Sequence, residues 1–229
     1  MRPLTFLVAI MTGQVLFAAA GPNEQPDPTR FRAEIKVFEQ WDNKNSFPSN
    51  AVLFVGSSSI RMWQTHKSFP SFPVINRGFG GSHISDINFY FKQVVMPYEP
   101  QLIVFYAGDN DIASGKSAQQ VLEDFRRFVE MVREKLPRTS IIFISIKQSE
   151  SRWNFWPVIQ QANDAIRQFC DNDNKLFFVD TGSVLLNNEL KPDNTFFLKD
   201  KLHLNEKGCQ KWTQVLGPVI EREYKHKNN

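Results

Sequence analysis

Short apolar runs, rich in β-branched and aromatic residues, alternate along this chain with longer segments of helical periodicity. The runs have the length of buried strands, and they predict five of them, at Ala51–Val55, Phe72–Asn76, Gln101–Tyr106, Ser140–Ile146 and Leu176–Asp180. Strands that alternate with helices form a parallel sheet with helices on both faces. The chain is therefore predicted to be an α/β protein, and no repeat or shift in composition marks a second domain.

Between these runs, apolar residues recur at spacings of three and four. This spacing predicts amphipathic helices over Arg30–Asp42, from Ser82 or Ser85 to Val95, and over Ala118–Leu136, Pro157–Cys170 and Asn205–Tyr224. Proline is favoured in the first turn of a helix and asparagine at its N-cap, which agrees with the starts at Pro157 and Asn205.

The first twenty residues have the pattern of a secretory signal peptide. Arg2 is followed by an apolar segment over Leu4–Phe17 and by three alanines that end at Ala20. A membrane anchor is the alternative, but the polar stretch Thr12–Gln14 interrupts the apolar segment and no positive cluster follows it. The sequence thus predicts cleavage after Ala20, one domain over 21–229, and a secreted or periplasmic protein without stable membrane insertion.

The charge of the chain gives no case for an anionic partner, either a nucleic acid or a membrane surface. The net charge is +3, with both signs mixed along the chain.

Cys170 and Cys209 either form a disulfide or are two buried free thiols, and export permits both alternatives. Cysteine and histidine do not cluster with the spacing of metal ligands, so neither a metal nor a cofactor is predicted.

Polar motifs follow the first three predicted strands, and another precedes the last helix. They are Gly56-Ser57-Ser58-Ser59, Asn76–Gly81, Gly108–Asp111, and the pair Asp200 and His203. Because the carboxyl ends of parallel strands lie at one edge of a sheet, where ligands bind, these motifs are expected to surround one crevice. Each of them, taken alone, is also typical of an ordinary turn or helix cap.

In this order the motifs resemble the SGNH hydrolases, also called the GDSL esterase/lipase family. The resemblance runs from Ala51 to Leu216. It implies a three-layer α/β/α sandwich around a flavodoxin-like five-stranded parallel sheet. It also implies that Ser58 is the nucleophile, in a block that reads GSSS rather than GDSL, with Ser57 where the family usually has aspartate.

The same resemblance implies the rest of a catalytic site. His203 would take the proton of Ser58 as general base, and Asp200 would orient the imidazole. The backbone N–H groups of Ser58 and Gly81 and the side-chain amide of Asn110 would donate to the oxyanion that forms when an ester is attacked. This chemistry requires no cofactor and no metal.

The substrate class stays open at this stage. An acetylated carbohydrate or another short acyl ester is favoured, and a lysophospholipid or thioester is the alternative within the family. Three tryptophans fall near predicted crevice loops together with Arg152; they are Trp63, Trp153 and Trp156. Their rings would stack on sugars, line an acyl groove or fill the core.

Two further classes of function are consistent with parts of the sequence. A flavodoxin-like phosphate- or flavin-binding protein would use the serines after the first strand to hold a phosphate. The same fold without catalysis would be a binding module. His66 and His83 are predicted to be surface or loop residues.

Overall fold

The structure, a computed structural model, describes residues 26–225. The predicted signal peptide lies outside the described residues. Within them, the apolar runs form one sheet of five strands: β1 Val52–Gly56, β2 Val74–Gly78, β3 Leu102–Tyr106, β4 Ser140–Ile144 and β5 Leu176–Val179.

All neighbouring strands are parallel, and their order in the sheet is β2-β1-β3-β4-β5. Gly56 at the end of β1 is level with Gly78 in β2 and with Tyr106 in β3. This is the flavodoxin-like order. From β1 the chain first adds β2 on one side and then β3, β4 and β5 on the other, and this change of direction opens a crevice at the carboxyl ends of β1 and β3. The predicted sheet is confirmed.

Helices connect the strands. In the described range they are α1 Arg32–Asp42, α2 Ser58–Arg61, α3 Thr65–Ser68, α4 Ile84–Phe89, α5 Phe91–Val94, α6 Asp109–Ala113, α7 Ala118–Lys135, α8 Trp156–Cys170 and α9 Glu206–Lys225. Short 3₁₀ helices lie at Pro28–Phe31, Met96–Tyr98, Glu150–Phe155, Ser183–Leu185 and Asn194–Phe196.

The sheet separates two apolar cores, because successive side chains of a strand point to opposite faces. On one face, Leu53 packs in a core with residues of α1, α4, α5, α7 and α8. On the other face, Phe54 packs in a core with Trp212 and other residues of α9. Helices therefore cover both faces, and the predicted three-layer α/β/α architecture is confirmed.

The two cysteines lie in different cores. Cys170 belongs to the core formed with α7 and α8, whereas Cys209 packs against the core formed with α9. Both are free thiols, so the disulfide alternative is wrong. Burial raises the pKa of Cys170 to about 12 and that of Cys209 to about 11, which keeps both as unreactive thiols at neutral pH.

Several element boundaries differ from the sequence-based prediction by one or two residues; β4, for example, ends at Ile144 rather than Ile146. Two other differences have a visible cause. β2 begins at Val74 rather than Phe72, because the intervening Pro73 has no N–H to donate and contributes only its carbonyl, which accepts from Val52 N at 2.8 Å. The predicted helix that ends at Val95 is split into α4 and α5 at Tyr90, whose backbone leaves the helical region at φ −94° and ψ 15°.

No described helix has the length and apolarity to cross a membrane.

Candidate active site

The chain turns sharply at the carboxyl end of β1. Gly56 has φ +153°, and a Cβ on it would lie 1.9 Å from the carbonyl oxygen of Tyr106. Only glycine fits this position. The next residue, Ser57, donates its backbone N–H to the same oxygen at 2.9 Å, which holds the turn against β3. The chain then enters α2, whose first residue is Ser58.

The three serines of this turn have different surroundings. Ser57 is fully buried, and its Oγ has no hydrogen-bond partner in the part of the chain that the structure describes. Ser59 is also buried, and its Oγ accepts from Lys147 Nζ at 3.2 Å. Ser58 is only half-buried, which makes it the accessible hydroxyl of the three.

Ser58 is hydrogen-bonded to His203. The distance from Ser58 Oγ to His203 Nε2 is 2.8 Å, and the distance from His203 Nδ1 to Asp200 Oδ2 is 2.7 Å. An ionised carboxylate only accepts hydrogen bonds, so Nδ1 carries the ring hydrogen and donates it to Asp200. Nε2 is then left to accept the hydrogen of the Ser58 hydroxyl.

A tight turn presents Asp200 and His203 together. Asp200 Oδ1 accepts the backbone N–H groups of Leu202 and His203, both at 3.0 Å. Burial alone would raise the pKa of Asp200, but the hydrogen bonds from the His203 side chain and from these two N–H groups outweigh it and lower the pKa to about 2. Asp200 is therefore a carboxylate throughout the range in which histidine titrates.

The loop after β4 supports this turn from the side. The carboxylate of Glu150 contacts both the Lys201 ammonium and the Asn194 amide. Ser151 donates its backbone N–H to the carbonyl of Lys201 at 3.2 Å. The 3₁₀ helix Glu150–Phe155 thus fixes the loop that carries His203.

The predicted oxyanion donors lie on the two neighbouring loops. Ser58 is in the first turn of α2, where backbone N–H groups have no acceptor within the helix. Gly81 has φ +79° and is exposed, with no atom within 4 Å of the position that a Cβ would take. Asn110 Nδ2 donates to the carbonyl of Ser82 at 3.2 Å, which uses one of its two amide hydrogens and leaves the other for a ligand.

Asp111 and His83 complete the packing behind these loops. Asp111 is fully buried and accepts from Ile84 N and, at 2.9 Å, from Lys116 Nζ, so it supports the turn. His83 lies in the loop before α4, as one of the two predicted alternatives has it, but it is only 5% exposed, so the surface alternative is wrong. Desolvation, followed by the charges of Lys116 and Arg30, lowers the pKa of His83 to about 4.

The aromatic residues near the crevice divide into two groups. Trp63 is buried, donates its Nε1–H to Ser68 Oγ at 2.8 Å and packs against Trp212, so it fills the core rather than binding a ligand. Trp153 is 38% exposed. Trp156 packs against the core formed with α7 and α8, and it lines a separate cavity of about 200 Å³ between α8 and the loops after β4 and β5.

Sequence analysis missed Lys147, which lies below the crevice. The side chain of Lys147 is 1% exposed and lies against Tyr106 and Asp109. The available signal was a lysine almost directly after an apolar strand.

No group of histidine, cysteine, aspartate or glutamate within residues 26–225 is arranged to hold a metal ion.

Comparison with known proteins identifies the family of this chain. Residues 60–211 match the GDSL-like Lipase/Acylhydrolase family, which is most of the chain. The chain belongs to this family. The matched span includes Gly81, Asn110, Asp200 and His203, and it begins two residues after Ser58. No curated protein matches the sequence. Family membership identifies the protein as an ester-hydrolysing enzyme.

Solved structures share the fold of this family member. A protein from Streptococcus pneumonia, proposed to be a platelet activating factor, is 20% identical, with a TM-score of 0.74 over 83% of this chain and 93% of that chain. A GDSL-like lipase from Bacteroides thetaiotaomicron is 22% identical, with a TM-score of 0.71 over 83% and 98%. A carbohydrate esterase family 3 protein from Talaromyces cellulolyticus is 17% identical, with a TM-score of 0.63 over 78% and 99%.

Proposed function

We propose that this GDSL family member is an exported serine esterase in which Ser58, His203 and Asp200 form the catalytic triad. The observation that carries the proposal is the continuous hydrogen-bonded chain from Ser58 Oγ through the His203 ring to Asp200, with both distances below 3 Å. A nucleophile, a base in contact with it and a group that orients the base are the signature of nucleophilic acyl transfer.

In the first half of the reaction, Ser58 Oγ attacks the carbonyl carbon of the ester while His203 Nε2 takes the hydroxyl proton. The carbonyl oxygen becomes an oxyanion, and the N–H groups of Ser58 and Gly81 and the Asn110 amide donate to it. His203 then gives the proton to the alcohol oxygen as the C–O bond breaks. The acyl group stays on Ser58 and the alcohol leaves.

In the second half, a water molecule takes the place of the alcohol. His203 removes a proton from the water as its oxygen attacks the acyl carbon, and the same three donors hold the new oxyanion. The proton returns to Ser58 Oγ as the acid leaves, which restores the enzyme. Asp200 stays ionised throughout, and its charge stabilises the imidazolium that forms twice in each cycle.

For the substrate we propose an acetylated carbohydrate or another short acyl ester. The exposed ring of Trp153, on the 3₁₀ helix that contacts the His203 loop, supports this choice, because an aromatic face suits a sugar ring. The carbohydrate esterase from Talaromyces cellulolyticus has the same fold. A lysophospholipase or thioesterase is the alternative within the family. A phosphate- or flavin-binding role would leave the contact between Ser58 and His203 without a purpose.

A panel of esters tests the activity and the substrate class together. Purified protein, expressed from Gly21, is assayed on p-nitrophenyl acetate, butyrate and palmitate, on acetylated xylose and glucosamine, on lysophosphatidylcholine and on an acyl thioester. We expect hydrolysis of the acetyl esters, with the highest kcat/KM on an acetylated sugar. The Ser58→Ala variant is the control for contaminating esterases. Highest activity on long acyl chains would contradict the carbohydrate proposal and retain the triad.

Export is a separate part of the proposal and rests on residues 1–20. Expression of the full chain in a secreting host is expected to release protein whose mature N-terminus is Gly21. N-terminal sequencing of the released protein identifies the cleavage site. Protein that keeps Met1 and stays with the cells would contradict export.

A further inference from the structure

Lys147 is a buried cation directly below the candidate site. It lies three residues beyond the end of β4, and its side chain is 1% exposed. Desolvation lowers the pKa of its ammonium, and the carboxylate of Asp109 acts in the opposite direction. A charged side chain is energetically costly to bury, so its retention calls for a compensating role.

Three oxygen atoms surround the ammonium. Nζ lies 2.9 Å from Tyr106 Oη, 3.2 Å from Ser59 Oγ and 3.5 Å from Asp109 Oδ2. An ammonium has three N–H donors and no acceptor, so this set matches the protonated form. Tyr106 Oη accepts from Lys147 and donates in turn to Asp109 Oδ2 at 3.4 Å.

The partners of Lys147 are the neighbours of two proposed oxyanion donors. Ser59 follows Ser58 in the first turn of α2. Asp109 precedes Asn110, and its Oδ1 accepts the backbone N–H of Asn110 at 3.1 Å. One side chain from the loop after β4 therefore links the loop after β1 to the loop after β3.

We propose that Lys147 is a positioning residue for the oxyanion hole. Its ammonium binds Ser59 on one side of the hole and Asp109 on the other, and so fixes the distance between the two loops. This inference rests on the proposed esterase function. Through Ser59 it fixes the backbone N–H of Ser58, and through Asp109 it fixes the start of α6 and the Asn110 amide. Errors well below 1 Å in the distance between such donors weaken the interaction with a developing charge.

The role assigned to Lys147 makes a kinetic prediction that a purely structural role does not. Because the oxyanion forms after binding, Lys147→Met should lower kcat about 10–100-fold and change KM less than about twofold. If Lys147 acts through the Asn110 amide, the two residues are coupled. In the Asn110→Ala background only the link through Ser59 is left to lose, so Lys147→Met should then cost about 3–10-fold.

A matched control separates positioning from loss of stability. Arg133 is a half-buried cation that donates to Asp173 and to the carbonyl of Thr139. It lies at the amino ends of the strands, whereas the candidate site lies at their carboxyl ends. Arg133→Met should lower the melting temperature without changing kcat. Thermal melting followed by circular dichroism on each variant shows the temperature range in which all are folded, and the assays are done there.

A smaller change keeps the test decisive if Lys147→Met does not fold. Ser59→Ala removes only the hydroxyl that accepts from Lys147. We expect kcat to fall about 3–10-fold with KM unchanged, since one of the two links is lost. Wild-type kcat in Ser59→Ala would overturn the inference.

The remaining outcomes are separable. Equal losses from Lys147→Met with and without Asn110→Ala would overturn the positioning role and retain the esterase function, as would a loss that appears in KM alone. A wild-type protein that hydrolyses no ester of the panel would overturn the proposed function and this inference together.

Discussion

Ser58 Oγ and His203 Nε2 lie 2.8 Å apart, although 145 positions separate the two residues in the chain. The contact joins the end of β1 to the loop before α9. It places the accessible hydroxyl of the GSSS block against the ring nitrogen that is free to accept its hydrogen.

Ser58→Ala should abolish ester hydrolysis, with a loss of about 10⁴-fold or more in kcat, because no other group can form the acyl intermediate. Ser57→Ala is the matched control. The Ser57 hydroxyl is buried without a partner in the described chain, so its removal should leave activity close to that of the wild type. Labelling with a fluorophosphonate, followed by peptide mass spectrometry, identifies the nucleophile. An adduct on Ser57 or Ser59 would reassign it.

Asn110→Ala should lower kcat about 10²–10³-fold and leave KM nearly unchanged, because the amide donates to a charge that exists only in the transition state. Steady-state kinetics on the preferred ester measure both constants. Asn172→Ala is the control, since Asn172 is exposed and its side-chain amide donates to the carbonyl of Gln168, away from the site. An unchanged kcat, with a lower melting temperature, would reduce Asn110 to a turn residue.

Gly56→Ala should destabilise the fold by more than about 3 kcal/mol, because its Cβ would lie 1.9 Å from the backbone oxygen of Tyr106. Gly182→Ala provides the comparison. A Cβ there would lie 3.4 Å from Ser145 Oγ, an ordinary contact, and φ is −76°. We expect a change within about 1 kcal/mol for this variant. Urea denaturation of the two variants measures the difference, and equal stabilities would contradict the steric argument.

His83 should make stability depend on pH in the acid range. Its pKa falls from the ordinary 6.5 to about 4 in the folded protein, so between these values the unfolded chain binds a proton that the folded protein does not. Stability therefore decreases as the pH falls through this window.

His83→Gln removes this contribution. The free energy of unfolding of the wild type, relative to that of the variant, should fall by about 2–3 kcal/mol between pH 7 and pH 4.5. Comparison with the variant also cancels the opposite trend of Asp111, whose pKa is raised to about 6 by burial. Urea denaturation at the two pH values makes the measurement, and a constant difference between the two proteins would contradict it.

The sequence alone was sufficient for the parallel sheet and its two helical layers. Strand and helix periods are local properties, visible within a dozen residues, and alternation of the two leaves few topologies. It was also sufficient to bring Ser58, Gly81 and Asn110 to one edge, because each follows a strand and parallel strands end on the same side.

Only the tertiary structure decided which polar and aromatic side chains face that edge. Lys147 meets Ser59 and Asp109 because β4 lies beside β3, and Trp63 joins Trp212 because α2 and α9 share one face of the sheet. Cys170 and Cys209 are kept apart because the sheet lies between their cores. These outcomes depend on strand order and on the face that each residue takes, and a local pattern contains neither.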